Sequence, residues 1–329
     1  MKLIYTFAFL LPFLAASQSF TSANEPAIGS LQSLFLCDSN TNSYESTVGN
    51  GVTWDYSQLA GIFGVVKDVQ IQDATLDPNF AAFNGSQKVM SIGTTLSTFF
   101  SSTPNDRTSQ GFVFNEVSLG SVVASWSVDP ENLMAYPFAL GNNINDVFSG
   151  TITSAATGVL SAQGISTSSA DGSGTLLLPN GGTYTNVLRY HLRDSASAVI
   201  FGTPVSFVRN EYEYYDLATS NLPIFIYTRI KVVSALLNNT STLVLSKDQP
   251  TTFVGVNELD NQAFSISPNP VIDLLNIEGL AGAEENYSVI DLTGREYSIG
   301  KTTGKIDLSA LPSGTYFLKI GNTVKKFIK

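Results

Sequence analysis

The chain holds one cysteine and one histidine, Cys37 and His191, the residue types from which nucleophilic catalysis or zinc binding is most often assembled. A thiol–imidazole dyad needs both within hydrogen-bond reach. Zinc needs three or four nitrogen or sulfur ligands, more than one His and one Cys supply. Cys37 ends the apolar run Leu34-Phe35-Leu36-Cys37, where a free cysteine packs as a small hydrophobe. His191 shares a strand face with Arg189 and Arg193, while Leu188, Tyr190 and Leu192 take the other, which predicts a solvent-facing histidine. No catalytic residue, cofactor or metal site is assigned on these grounds.

Carboxylates alone suffice for glycoside hydrolysis. Glu211 and Glu213 stand two apart, so on a strand they share a face about 6.6 to 7 Å apart, near the separation of inverting pairs. Neighbours on one strand nevertheless lie side by side, whereas acid and base must flank a scissile bond. A solvated strand face is therefore expected. Asp171-Gly172-Ser173-Gly174 has the look of a calcium loop but lacks its spaced acids, and reads as a hairpin turn. Tyr212, Tyr214 and Tyr215, with Tyr190 and Tyr227 in nearby strands, are candidates for a patch that stacks on sugar rings; cross-strand packing is the competing reading. Trp54 and Trp126 are assigned to the core.

The elements that would position these residues are strands. In Ser121–Ser127, Val122, Ala124 and Trp126 alternate with Val123 and the serines, and in Val65–Gln72, Val65, Val69 and Ile71 alternate with Asp68, Gln70 and Gln72; period 2 means one wet face. Longer candidates run through Thr183–Arg193, Val199–Arg209 and Pro223–Leu237. Asn50-Gly51 and Asn180-Gly181-Gly182 supply turn chemistry. Pro78–Phe83, preceded by Asp77, suggests a short helix, and Ser86–Phe100 is ambiguous. The expected body, residues 18–245, is antiparallel and all-β, either a sandwich or a curved sheet. No repeat period points to a propeller or solenoid.

Charged residues are 13% of the chain and the formal net charge is −10. So acidic a surface, with no basic stripe, disfavours nucleic-acid binding. One cysteine permits no intramolecular disulfide. At the N-terminus, Met1 and Lys2 precede an apolar run from Leu3 to Ala16 and then Ser17 and Gln18, the pattern of a signal peptide over residues 1–17. The run is shorter than the roughly 20 residues of a membrane span, and no transmembrane segment is expected elsewhere.

Residues 246–263 turn polar and read as a linker. A second small β unit follows, 264–329. Its landmarks are Ile266-Ser267-Pro268-Asn269-Pro270, Leu274-Leu275-Asn276-Ile277, and Tyr287 to Leu292 with Thr293-Gly294-Arg295. Then come Leu311-Pro312-Ser313-Gly314-Thr315-Tyr316 and the basic end Lys325-Lys326-Phe327-Ile328-Lys329. The prolines stop pairing and the glycines turn the chain. The order and spacing resemble the type A C-terminal sorting domain of type IX secretion cargo, a small immunoglobulin-like β-sandwich found in Gram-negative bacteria.

That resemblance covers a fifth of the chain and implies a route. The Sec machinery carries the chain to the periplasm, the type IX translocon recognises the tail, and a sortase-like peptidase removes it in the linker. The protein is then anchored at the outer cell surface or released. In bacteria with this system Asp194-Ser195-Ala196 also resembles an O-glycosylation sequon, which marks Ser195. For the passenger three readings stand: a binding, adhesive or structural protein, with a glycan as one ligand; an extracellular carboxylate-dependent hydrolase of polysaccharide; and a curved sheet that carries an apolar ligand.

Overall fold

The computed structural model describes residues 18–39, 44–116, 120–155, 157–200, 203–234, 238–254, 264–280, 284–291, 295–320 and 323–329. The expected signal peptide, Gly294 and linker residues 255–263 lie outside them. The chain forms two compact units, the first running to Val254 and the second holding the remainder. No α-helix occurs among the described residues.

Twelve strands form the body of the first unit. In chain order they are β1 (Leu31–Cys37), β2 (Ala60–Asp73), β3 (Lys88–Ile92), β4 (Leu96–Ser102), β5 (Asp106–Glu116), β6 (Gly120–Asp129), β7 (Asn143–Ser154), β8 (Gly158–Leu177), β9 (Thr183–Ile200), β10 (Thr203–Tyr215), β11 (Phe225–Ser234) and β12 (Asn238–Ser246). Each pairs antiparallel with its neighbours in sequence, and β12 pairs with β1 through Val244↔Cys37, Leu245↔Leu36 and Ser246↔Phe35. The curved sheet therefore closes on itself as an up-and-down barrel.

The alternation in the sequence decides what fills it. Val122, Ala124 and Trp126 on β6 and Val69 and Ile71 on β2 all point inward and are buried. Val69, Ile71, Ala124 and Trp126 join Phe112, Phe148 and Phe207 in one core that draws on all twelve strands, and burying each large aliphatic or aromatic side chain contributes about 1.5–3 kcal/mol. These side chains fill the barrel interior along the length of this core.

The chain between β1 and β2 makes an excursion over the outside. Its strand Gly49–Asp55 pairs parallel with the second half of β8, and Tyr44, Trp54, Tyr56 and Leu59 cover the outer faces of β10 and β11 in a second core. This corrects the reading of Asp171–Gly174. The segment is no hairpin tip but part of β8, with register shifts on either side. A Cβ at Gly172 would stand 2.5 Å from the Trp54 ring, and one at Gly174 would stand 1.9 Å from the Val52 carbonyl oxygen. The glycines are there to let the excursion approach.

Other expectations are refined. The short helix is a single 3₁₀ turn, Phe80–Ala82, with Asp77 accepting from the Asn79 amide at 2.8 Å. The ambiguous stretch is the β3–β4 hairpin. Asn180 and Gly181, at φ 57° and 81°, do form the tip between β8 and β9. Past β12, Thr252–Val254 pairs parallel with β2, so the ordered passenger continues beyond residue 245.

The second unit has a three-stranded sheet, Ser265–Ser267, Leu274–Glu278 and Lys305–Asp307, and a four-stranded sheet built on Glu285–Asp291 and Thr315–Ile320. Its own core includes Phe264, Leu275, Val289, Tyr316, Leu318 and Phe327.

Candidate functional site

Inside the barrel, β10 places Phe207, Arg209, Glu211, Glu213 and Tyr215 on its inward face. Glu211 and Glu213 do share a face, but it is not solvated: they are 5% and 3% exposed. Glu211 accepts from the Thr228 hydroxyl at 3.0 Å on β11, and Glu213 accepts from the Tyr215 hydroxyl at 2.6 Å. Opposite Arg209 on β9 stands Asp194, which takes Nε at 2.9 Å and Nη2 at 2.6 Å. Glu131, fully buried on the strand Glu131–Ala135 beside β5, lies 3.7 Å from the same guanidinium. Burial, then the Asp194 charge, raises the Glu131 pKa to about 8. Burial, then Glu211, raises that of Glu213 to about 7, and burial pushes Glu211 up too.

Arg209, Glu211, Glu213 and Tyr215 border a cavity of about 30 Å³ whose other walls include Pro26, Phe100, Leu133 and Leu222. Such a volume holds one or two water molecules, not a sugar ring. The N-terminal segment seals one side. Phe20 is 1% exposed, edge-on to Tyr215 and under the Arg107 guanidinium at 5.0 Å. Glu25 is held by Arg107 at 2.7 Å and by the Tyr136 hydroxyl.

The outer face of β9 and β10 carries a second polar group. Arg189, fully buried, grips Asp171 in two-point fashion at 2.7 and 3.0 Å, donates to the Ser46 carbonyl at 3.0 Å and reaches the Tyr214 hydroxyl at 3.3 Å. Its guanidinium also lies 5.2 Å from the Trp54 ring. His191 is half-buried rather than free on the surface. It stacks on Tyr212 at 4.1 Å, hydrogen-bonds Asn210 at 2.8 Å and comes within 3.5 Å of Asp171. Burial opposes ionisation of Asp171, but the hydrogen bonds from His191 and Arg189 outweigh it and hold the carboxyl below the usual range. This arrangement fastens the excursion to the barrel. Cys37 is buried with its thiol pushed up to about 12 and is packed with Tyr44 and Val244, far in kind from a nucleophile.

The proposed sugar-stacking patch is not formed. Tyr212 and Tyr214 are covered by the excursion, Tyr215 faces the interior, and Tyr190 and Tyr227 are buried too. Of the openings on the first unit, the roomiest described is a groove of about 510 Å³ on the outside of β7, β8 and β9, lined by Val147, Ser149, Gln163, Ile165, Ser195 and Ser197. No local pattern points to it, because it is assembled from side chains of neighbouring strands in register. Ser195 sits mid-strand between Ile165 and Val208, while its sequon partner Asp194 points inward and is 2% exposed.

In the second unit Asn269, between Pro268 and Pro270, reaches the last strand from both ends of its amide: Oδ1 accepts from the Ile328 amide at 2.9 Å and Nδ2 donates to the Lys326 carbonyl at 3.4 Å. Gly314 exchanges two backbone hydrogen bonds with Lys329 at 3.0 and 2.9 Å. The Tyr316 hydroxyl donates to the Pro312 carbonyl at 3.0 Å, and its ring stacks on Phe327. Arg295 lies over Tyr297 at 5.1 Å, and Lys326 is exposed beside half-buried Lys325. Residues 265–329 match the family model described as the secretion system C-terminal sorting domain. The chain is type IX secretion cargo. The sorting domain directs it out of the cell, as a secreted or outer-surface protein, and the landmarks above are the packing that shapes it. No curated protein and no solved structure matches the chain, and the family match covers none of the barrel.

Proposed function

We propose that the barrel is a non-catalytic passenger with a binding, adhesive or structural role outside the cell. The observation that carries this is the fate of Glu211 and Glu213. The carboxylate pair best placed by sequence for hydrolysis is enclosed in the barrel around a cavity of about 30 Å³, where no polymer reaches it. Contact with a ligand then falls to the outer surface. The groove beside Ser195 has the volume of a small-molecule site and a lining of serine hydroxyls, the Gln163 amide, the Asp129 carboxylate, Val147, Ile165 and Phe148, suited to a hydroxyl-rich saccharide or to a sugar borne on Ser195 itself.

The rest of the route follows the sorting domain. Leader removal leaves Gln18 first, and a sortase-like peptidase cuts in the linker before Phe264. A glycan array and a broad hydrolase screen on the exported mature protein test the reading. Saturable binding without turnover is expected, lost on Ile165→Asp. Turnover abolished by Glu213→Gln would sink it. Mass spectrometry of surface and supernatant fractions should find the passenger without residues 264–329; an intact tail on the mature protein would overturn the processing scheme.

A further inference from the structure

We propose that the barrel interior is a proton-binding site, in which Glu131 and Glu213 are neutral carboxylic acids in the folded protein at neutral pH, so that folding takes up protons. The argument starts from charge. Glu131, Asp194, Glu211 and Glu213, each no more than 5% exposed, gather around the buried guanidinium of Arg209, while Arg107, which borders the same cavity and favours the ionised form of Glu213, is shared with Glu25 at 2.7 Å. Counting Glu25, five carboxylates cannot all stay ionised beside two guanidinium groups in a low-dielectric interior.

Geometry says which ones yield. Asp194 holds both Nε and Nη2 of Arg209 and also accepts the Arg209 amide at 3.2 Å. Glu131 has the Ser166 hydroxyl as a polar neighbour but no hydrogen bond of full geometry to either carboxylate oxygen, and Glu213 has none to Oε1. An ionised carboxylate left that way is untenable, whereas a protonated one carries its own donor. The remaining neighbours supply no further cation. Asp146 comes from β7, Ser166 from β8, Tyr190 from β9, Glu211 and Tyr215 from β10, and Thr228 from β11. Lys88 of β3 stands at 3.9 Å from Glu25 on the far side of that carboxylate group. The Tyr190 hydroxyl and Arg209 Nη1 are likewise without partners and border the cavity with Glu213, so a water there would link them.

The direct test is carbon-detected NMR of the side-chain carboxyls in the intact mature protein. Glu131 and Glu213 should stay protonated through mild acid and titrate close to neutrality; titration in the ordinary carboxylate range would overturn the proposal. Equilibrium unfolding gives a second reading. Because the folded state binds more protons, the unfolding constant should rise tenfold per pH unit for each proton held, between about pH 5 and about pH 8. In Glu131→Gln/Glu213→Gln that slope should disappear, and an unchanged slope would refute the assignment. Replacing sodium and potassium by tetramethylammonium at constant ionic strength should leave stability at about pH 6 unaltered; a loss would mean that a bound cation, not protons, balances the carboxylates.

Discussion

Arg209 and Asp194 face each other across β9 and β10, Nη2 to Oδ2 at 2.6 Å, with both side chains sealed in the barrel. Removing one partner of a buried pair leaves the other charge uncompensated, which costs about 3–5 kcal/mol. Arg209→Met should lose stability of that order, because Asp194 is left buried without its cation and Glu211 loses the same neighbour. Adding Asp194→Leu should recover part of it. Chemical denaturation of the three proteins checks this, and a loss under about 1 kcal/mol for Arg209→Met would show the pair to be dispensable.

A second prediction concerns the excursion. Arg189 joins Asp171, Ser46 and Tyr214, and charged hydrogen bonds of this kind contribute about 1.5–3 kcal/mol. Arg189→Met should raise amide exchange across residues 44–56 and redden Trp54 emission, with the ring strands still protected. Unchanged protection would assign the fastening to the Trp54 and Tyr56 packing alone.

The acid limb of stability has the opposite sign to the neutral one. The Asp171 carboxyl titrates below its unfolded value. Its contribution is therefore complete above the unfolded pKa and is lost as pH falls through the folded one. Asp171→Asn should make the acid limb below about pH 4 shallower while costing stability at neutral pH. Unfolding curves between about pH 2 and about pH 5 decide it.

Cys37, pushed up to about 12 by burial against a smaller backbone hydrogen bond, should resist iodoacetamide in the native protein at about pH 8 and react fully in denaturant. Native labelling at the rate of a free thiol would mean that the seam beside it opens.

In the sorting domain, Asn269→Ala removes both amide hydrogen bonds to the last strand. A loss of about 1–2 kcal/mol in this unit is expected, with unprocessed protein retained in the periplasm. Cell fractionation with an antibody to the passenger reads the outcome; export at the wild-type level would separate tail stability from recognition.

Much of this was legible in the chain. Alternation on β2 and β6 announced inward Val69, Ile71, Val122 and Trp126, and the landmarks from Pro268 to Lys326 announced the sorting domain. What failed was the surroundings of β10. Its even positions, Tyr212 and Tyr214, are covered by residues 44–59, and its odd positions meet Asp194, Thr228 and Tyr190 from other strands. Period 2 tells which side chains share a face, not whether a distant segment lies on it. One local clue was present. Phe207 to Tyr215 contains no Ser, Thr or Gly, unlike β7 and β8, as a strand buried on both sides would. The groove at Ser195 and the closure between β12 and β1 left no such mark.

That closure has a consequence for timing. The ladder between Phe35–Cys37 and Val244–Ser246 has three residue pairs, and it joins the first strand of the ring to the last. A chain threaded through a membrane from its N-terminus can zip hairpins as they emerge, but it cannot complete the circle until residue 246 is through. Any such passage leaves the ring open until its twelfth strand has emerged, because the last ladder to form joins the two strands farthest apart in sequence.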